Sequence, residues 1–249
     1  MAPPRRTARI DVVPASGATA ADALVASTVL VVDVLRASTT IVAALANGCA
    51  AVIPVADAEA ARARRAGAGD GALLAGERGG ERIPGFDLGN SPLEFVAARV
   101  SGRTVILTTT NGTRALLAAA PAAAVGIAAF VNLTAAARWA AARGTDITVL
   151  CAGQEGRHSL EDHVCAGLLV DRLLVGLSGA TLTGRAEEAL HDGRRYGTDV
   201  ARLADDSPWA RRLAAAGYRA DVAACLALDT TALVPTLLPG LDKVVGSLR

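Results

Sequence analysis

The sequence has few aromatic residues, a single lysine and no excess of charge of either sign. Phe, Tyr and Trp make up 3% of its 249 residues. Lys243 is the only lysine, so arginine supplies almost all of the positive charge, and the formal net charge is +1 at pH 7. A nucleic-acid-binding protein usually carries a clustered basic excess. We therefore expect no nucleic-acid partner.

The chain also has little sequence that is typical of membrane or secreted proteins. The uncharged stretch 115–131 is mostly alanine and contains Pro121 and Gly126, unlike a membrane span. The basic segment 1–9 precedes polar sequence and not the apolar core of a secretion signal. The four cysteines form no C-x-x-C pair and have no zinc-site spacing. We expect a cytoplasmic protein with reduced thiols and no membrane partner.

Apolar residues, by contrast, are abundant. They make up 52% of the sequence, and alanine, a strong helix former, occupies 56 positions. Short runs rich in β-branched residues alternate with alanine-rich segments of helical length, which is typical of a mostly parallel sheet covered by helices. We predict an α/β fold in a single domain over residues 1–249.

The same patterns predict individual elements. Strands are predicted at 28–34, 51–55, 104–108, 124–127, 147–151 and near 243–245. Helices are predicted at 39–46, 57–66, 92–98, 113–119, 134–142, 160–175, 199–204, 208–215 and 221–226. The glycine-rich stretch 67–85 and the stretch 178–197 are predicted to be loops.

The loop after the first predicted strand combines a carboxylate, a guanidinium and hydroxyls. Asp33, Arg36, Ser38 and Thr39 surround the start of a helix. Right-handed crossovers place such loops at one carboxyl edge of a parallel sheet, where ligands bind. The N–H groups of the helix start suit a phosphate, which Arg36 can bind bidentately. The alternative is that Ser38 or Thr39 only caps the helix and Asp33 only completes a turn.

Two further loops repeat this polar design. Thr110, Asn111 and Thr113 follow the strand 104–108 and are either a second anion site or a plain Asn-Gly turn capped by Thr113. The loop after 147–151 leads to Ser159-Leu-Glu-Asp162, which is either a capped helix start or a source of carboxylates for a hard cation. Glu161 and Asp162 point in different directions from a helix, so at most one is expected to be a direct ligand.

Five stretches, in this order, resemble motifs of the 2-phosphosulfolactate phosphatase family. They are DVLRASTT at 33–40, GE at 76–77, GFDLGNSP at 85–92, TTNGT at 109–113 and SLED at 159–162. The resemblance is close over residues 28–170 and loose over the remainder. It implies a three-layer α/β/α sandwich, Mg²⁺-dependent hydrolysis of a small, strongly anionic three-carbon phosphate ester, and a homodimer.

The resemblance and the polar loops together assign roles to individual residues. The predicted catalytic residues are Asp33, Arg36, Glu77 and Asp162, of which Asp33 and Glu77, with Asp162 as a third candidate, hold Mg²⁺. The predicted substrate-binding residues are Ser38, Thr39, Asp87, Asn90, Thr110, Asn111 and Thr113, of which Asp87 and Asn90 rest on the family pattern only. Several of Arg36, Arg78, Arg82, Arg114 and Arg157 are predicted to converge on the substrate's anionic groups.

Three alternatives remain open at this stage. Cys151 and Arg157 have the C-x5-R spacing of cysteine-dependent phosphatases, although Glu155 would then lie in the phosphate loop. Asp33 can be the nucleophile of an aspartyl-phosphate enzyme, although Leu35 stands where a second acid is expected. The protein can also be a non-catalytic sensor of an anionic metabolite, although its carboxylates would repel such a ligand unless a cation lies between them.

Overall fold

A computed structural model describes residues 7–15, 24–67 and 71–247 of the protein. Residues 1–6 of the basic N-terminal segment and residues 68–70 of the predicted loop 67–85 lie outside the described residues. Within the described ranges, no helix has both the length and the apolar character needed to cross a membrane.

The described strands form one sheet in which most neighbouring pairs are parallel. The strands are β1 (Arg9–Val13), β2 (Thr28–Val32), β3 (Ala51–Pro54), β4 (Leu73–Arg78), β5 (Glu81–Arg82), β6 (Thr104–Thr108), β7 (Ala124–Ala128), β8 (Ile147–Cys151), β9 (Thr181–Leu182), β10 (Val234–Leu238) and β11 (Lys243–Ser247). Their order across the sheet is β5-β4-β6-β3-β11-β10-β7-β2-β8-β1-β9.

Helices cover both faces of this sheet, as an α/β/α sandwich requires. They are α1 (Ala37–Ala46), α2 (Ala58–Ala66), α3 (Ala97–Val100), α4 (Gly112–Ala119), α5 (Leu133–Ala141), α6 (Leu160–Gly176), α7 (Gly184–Tyr196), α8 (Leu203–Asp206), α9 (Pro208–Leu213) and α10 (Arg219–Cys225). Residues of α1 and α4 pack in one apolar cluster, and residues of α5, α6 and α7 pack in another.

The central strand β2 shows why these apolar runs become buried strands. All five of its residues are buried. Leu30 and Val32 pack on the face covered by α5 and α6, whereas Val29 and Val31 pack on the face covered by α1 and α4. Because successive side chains of a strand point to opposite faces, a strand covered on both faces is apolar at nearly every position, and its one polar residue, Thr28, is paired with Thr145 Oγ1 at 2.7 Å.

The sheet contains two parallel groups that run in opposite senses. The contacts from β7 through β10 and β11 to β3 are all antiparallel, so that β3, β6 and β4 run opposite to β7, β2, β8 and β1. In a flat sheet β2 and β3 would lie about 19 Å apart, four strand spacings. Helix α4 nevertheless contacts both strands. The sheet therefore curves around α4, and this curvature brings the loops after β2 and β6 together.

The two predicted loops are wrong. The stretch 67–85 contains β4 and β5, and the stretch 178–197 contains β9 and α7. The many glycines near β4 are typical of a loop, although β4 begins with buried residues. The many charged residues of α7 are also typical of a loop, although Ala186, Ala189 and Leu190 form a buried apolar face. Gly167 lets α7 approach α6 so closely that an added Cβ would lie 1.8 Å from the Ala189 carbonyl oxygen. Packing between distant segments stabilises β4 and α7, and local composition does not predict such packing.

One predicted helix is shorter than expected, and two strands of the structure were not predicted. The predicted helix 92–98 is a 3₁₀ turn at Pro92–Glu94 followed by the short α3. Strands β1 and β10 were not predicted, and the predicted strand near 243–245 is β11, antiparallel to β10.

Candidate active site

A pocket of about 490 Å³, open to solvent, lies where the loops after β2, β6 and β8 meet β4 and α9. It is lined by Asp33, Leu35, Arg36, Glu77, Gly79, Gly80, Asn90, Thr110, Asn111, Gln154, Glu155, Trp209 and Arg212. Six of the predicted site residues therefore lie together, namely Asp33, Arg36, Glu77, Asn90, Thr110 and Asn111.

Asp33 follows the last residue of β2 and is buried at the base of this pocket. Its Oδ1 accepts a hydrogen bond of 3.1 Å from the backbone N–H of Ala37, at the start of α1. Burial is the main cause that raises the pKa of this carboxyl from its ordinary value of 3.8 to about 7. The negative charges of Glu77 and Glu161 add to the rise, and the Ala37 N–H and the Arg36 charge oppose it. An ionised Asp33 is therefore disfavoured in this pocket, and a cation beside it would stabilise the charged form.

Gly112, at the start of α4, allows the second polar loop to reach Asp33. A Cβ added to Gly112 would lie 2.6 Å from Asp33 Oδ2 and 2.5 Å from the Ala37 Cβ. Since real side chains never come so close, only glycine fits at this position. The glycine of the Asn-Gly-Thr sequence thus serves the approach of two loops as well as a turn.

Glu77 enters the pocket from β4, and both of its carboxylate oxygens are oriented by backbone groups. Oε1 accepts from the N–H of Thr110 and Oε2 accepts from the N–H of Gly80, each at 2.7 Å. These bonds connect β4 to the loop after β6. They leave each oxygen a second lone pair, so Glu77 remains able to bind a cation.

Asp162 lies behind this pocket and holds two loops together. Its Oδ1 accepts from the N–H of Val34 at 2.8 Å and its Oδ2 accepts from the N–H of Gly153 at 3.1 Å. Burial, followed by the charges of Asp33 and Glu161, raises its pKa well above the ordinary value. Its role as a metal ligand stays a prediction. In the structure, Asp162 fixes the loop after β2 through its bond to Val34.

Glu161 is buried beside Asp162 in the first turn of α6. Asp33, Glu161 and Asp162 border a second, smaller pocket of about 220 Å³. Glu161 Oε2 accepts a hydrogen bond of 2.7 Å from Ser207 Oγ. Three carboxylates, one from the loop after β2 and two from the first turn of α6, therefore lie near one another, and Glu161 links them to the start of α9.

Arg36 is almost fully buried and is held by residues that are remote in the sequence. One terminal nitrogen donates to Asp221 Oδ2 at 2.6 Å, and the other donates to the Gly80 carbonyl oxygen at 2.5 Å. The guanidinium carbon lies 4.2 Å from the centre of the Tyr218 ring. Asp221 also accepts from Ser91 Oγ at 2.8 Å. No local motif marks Asp221 or Tyr218, so the sequence analysis missed both.

Asn90 and Thr110 line the pocket, and each has one buried polar atom that is unpaired. Asn90 Oδ1 and Thr110 Oγ1 are both buried and have no hydrogen-bond partner in the structure. The Asn111 Oδ1 accepts from the N–H of Glu155 at 3.1 Å, so its amide NH₂ group points elsewhere. A buried polar group without a partner costs free energy, and a ligand with complementary groups removes that cost.

The predicted hydroxyl ligands bind their own loops. Ser38 Oγ accepts from the N–H of Asp33, Thr39 Oγ1 donates to the Val34 carbonyl at 2.9 Å, and Thr113 Oγ1 donates to the Thr109 carbonyl at 3.0 Å. All three side chains lie outside the lining of the pocket. These bonds fix the loops that precede α1 and α4, whereas neither helix start has a side-chain cap, so the capping roles expected for Ser38, Thr39 and Thr113 are wrong.

Asp87 and most of the predicted arginines also lie outside the pocket lining. The Asp87 Oδ2 accepts from the Leu74 N–H at 2.8 Å and from Arg65 at 2.9 Å. Of the predicted arginines, only Arg36 lines the pocket. Arg212 of α9 lies there as well, and the sequence analysis missed it because nothing near it in the chain resembles a motif.

Cys151 is poorly placed to be the nucleophile of a cysteine-dependent phosphatase. It is fully buried in β8, and burial, followed by the charge of Asp162, raises the pKa of its thiol well above the ordinary value. Arg157 is exposed and, like Cys151, lies outside the pocket lining. Nucleophilic attack requires a thiolate, which this environment disfavours.

We expect the Cys151→Ser variant to keep wild-type turnover, because the thiol faces the core and not the pocket. Replacing the thiol by a buried hydroxyl should cost about 1 kcal/mol of stability. Cys165→Ser, at a second fully buried thiol, is the matched control. Turnover measured by phosphate release decides the matter, and a loss in Cys151→Ser with none in Cys165→Ser would restore the thiolate mechanism.

The chain is similar to one family of enzymes over most of its length. The sequence model of the 2-phosphosulpholactate phosphatase family matches residues 16–239. A probable 2-phosphosulfolactate phosphatase of Deinococcus radiodurans is 44% identical over 207 residues, which is 82% of this chain and 85% of the relative. Proteins of the same description from Caldanaerobacter subterraneus subsp. tengcongensis and Thermotoga petrophila are 38% and 40% identical, over 80% and 79% of this chain and 83% of each relative.

Proposed function

The chain belongs to the 2-phosphosulpholactate phosphatase family and is a phosphoric monoester hydrolase, and we propose that it hydrolyses 2-phosphosulfolactate to sulfolactate and phosphate with Mg²⁺ as cofactor. The observation that carries the proposal is one pocket that combines the carboxylates of Asp33 and Glu77 with the unpaired polar atoms of Asn90 and Thr110. Carboxylates repel an anionic ester unless a cation lies between them.

The oxygen atoms in this pocket fit Mg²⁺. Asp33, Glu77 and the unpaired Asn90 Oδ1 are hard oxygen donors. The pKa of Asp33 is raised mainly by burial and in addition by the charges of Glu77 and Glu161, and a cation beside Asp33 would favour its ionised form. Among the described residues, no group of three His, Cys, Asp or Glu side chains is arranged to hold a metal ion by itself. Mg²⁺ commonly uses only one or two protein carboxylates and takes its other ligands from water and substrate phosphate. We assign Asp33, Glu77 and Asn90 as its protein ligands.

Bound there, Mg²⁺ would polarise the phosphoryl group and neutralise charge that develops on its oxygens. The protein's own residues position the ester. Thr110 Oγ1 and the amide group of Asn111 are donors for phosphoryl oxygens. Arg36, held by Asp221 and Gly80, keeps further N–H groups for the same task, because a guanidinium has five of them. Fixing the donors before the substrate arrives lowers the cost of ordering them in the transition state.

The net reaction breaks the bond between phosphorus and the ester oxygen and forms a bond between phosphorus and a water oxygen. The water loses a proton, and the departing alkoxide of sulfolactate gains one. The aspartyl-phosphate alternative expects a second acid two positions after Asp33 in the chain, where Leu35, an apolar residue of the pocket lining, stands. Direct attack by water is therefore the mechanism that we favour. The homodimer that the family resemblance implies stays a prediction.

Comparing the rates for several esters tests the proposed substrate. We expect kcat/KM, measured by phosphate release in the presence of Mg²⁺, to be far higher for 2-phosphosulfolactate than for glycerol phosphate, with phosphoglycolate and 2-phosphoglycerate between them. The reason is that a site built to pair several anionic groups penalises an ester that leaves its donors unpaired. Equal values for all four esters would contradict the proposed substrate. Binding of 2-phosphosulfolactate without release of phosphate would support a metabolite sensor instead.

A further inference from the structure

The pocket is lined by two arginines, and only one of them is committed to an ion pair. Arg36 is buried and paired with Asp221 at 2.6 Å. Arg212 is exposed at the pocket, and among the residues that the structure describes it has no carboxylate partner. Its guanidinium carbon lies 5.3 Å from the centre of the Trp209 ring. Its N–H groups are thus available to an anion in the pocket.

Helix α9, which carries Arg212, is attached firmly to the site. Ser207 Oγ accepts from the N–H of Ala210 at 3.1 Å, which caps the helix, and donates to the buried Glu161 at 2.7 Å. Trp209 Nε1 donates to the Leu35 carbonyl oxygen at 2.9 Å, in the loop that contains Asp33. Arg212 therefore extends from a fixed support, and its place at the pocket does not depend on a mobile loop.

We propose that Arg212 determines substrate specificity by binding the sulfonate of the ester. This inference rests on the proposed function, because the sulfonate belongs to 2-phosphosulfolactate. The carboxylate is attached directly to the ester carbon, whereas the sulfonate lies one bond farther away and reaches farther from phosphorus. Arg212 is exposed, whereas Asp33 and Glu77 are buried. A guanidinium binds two oxygens of a sulfonate through parallel N–H bonds, and the Arg212 guanidinium lies over the Trp209 ring.

Two esters that differ only in the sulfonate provide the test. 2-Phospholactate has the phosphate and carboxylate of 2-phosphosulfolactate but a hydrogen where the sulfonate stands. We expect Arg212→Gln to lower kcat/KM for 2-phosphosulfolactate at least about tenfold more than for 2-phospholactate, mainly through KM. Arg211→Gln is the matched control, because Arg211 has the same charge on the same helix but donates to the carbonyl oxygens of Asp205 and Asp206 outside the pocket lining.

Two other results of this comparison would overturn the inference. An equal loss for both esters would place Arg212 on the phosphoryl group or the carboxylate, and no loss would remove it from the site. If the wild-type protein hydrolyses neither ester, the proposed function fails. Calorimetric titration with sulfolactate then still tests the role of Arg212. The wild type and Arg211→Gln should bind sulfolactate more tightly than Arg212→Gln does. Absence of wild-type binding would overturn the inference as well.

Discussion

The Asp33→Asn variant is expected to lose turnover by at least about 100-fold and yet to be more stable than the wild type at pH 8. It removes a carboxylate that we propose as a Mg²⁺ ligand, and even the outer-shell partners of metal ligands are worth about 10- to 100-fold. Asn keeps an oxygen that can accept from the Ala37 N–H but cannot balance the charge of a cation. The loss of activity follows from the absent carboxylate. The gain in stability follows from the pKa of Asp33.

That pKa is about 7 in the folded protein, against an ordinary value of 3.8. Between these two pH values the folded state holds a proton that the unfolded state has released, so the free energy of unfolding falls as the pH rises through this window. Above pH 7 the folded protein bears the full cost of an ionised Asp33. Asn cannot ionise, so Asp33→Asn should gain stability of a few kcal/mol at pH 8, at about 1.4 kcal/mol per pKa unit, and none at pH 3.

Urea unfolding without divalent cations, at pH 3 and at pH 8, measures the stability effect. Asp57→Asn is the control, because Asp57 caps α2 at the surface and asparagine caps a helix about equally well. It should change neither turnover nor stability. Near-normal turnover of Asp33→Asn, or an equal change of stability at both pH values, would contradict the account of Asp33.

Asp221→Ala is expected to destabilise the protein by about 3 to 5 kcal/mol, because it leaves the guanidinium of Arg36 buried without its partner. Ser91 loses an acceptor in the same variant. Turnover should fall at temperatures where the variant is still folded, since Arg36 is no longer held at the pocket. Asp221→Asn keeps an acceptor for Ser91 and should lie between Asp221→Ala and the wild type in both measurements.

A double-mutant cycle separates the ion pair from other effects at this position. Arg36→Met combined with Asp221→Ala should be less destabilising than the sum of the two single variants, because no charge is then left unpaired. Asp171→Ala is the control, because Asp171 forms a surface ion pair with Arg194. Loss of that pair should lower the free energy of unfolding by less than about 1 kcal/mol. Additive effects, or a cost of Asp221→Ala no larger than that of Asp171→Ala, would contradict the role of Asp221.

The part of the site that local patterns could predict lies in two loops. Asp33 after β2 and Thr110 with Asn111 after β6 were expected to meet, and they line one pocket. The reason differs from the expected one, since β2 and β6 belong to parallel groups of opposite sense and meet because the sheet curves. An apolar run identifies a strand, but it does not report which neighbour the strand pairs with or how the sheet bends.

The rest of the site depends on contacts between distant parts of the chain. Asp221 is 185 positions from Arg36, and no local pattern connects them. Ser38 and Thr113 show a different difficulty. A hydroxyl beside a helix start suits a ligand and a cap equally well, and only the geometry reveals that these two bind their own loops. Residue type therefore predicted the chemistry of the pocket better than it predicted which side chains supply it.

Phosphate release from 2-phosphosulfolactate, measured before and after chelation, tests most directly whether the Asp33 and Glu77 pocket is a magnesium-dependent phosphatase site. We expect turnover to stop in EDTA and to return when Mg²⁺ is added in excess, because the carboxylates repel the ester without a cation. Asp33→Asn should gain nothing from the added Mg²⁺. Full turnover in EDTA by protein freed of divalent cations would contradict the account.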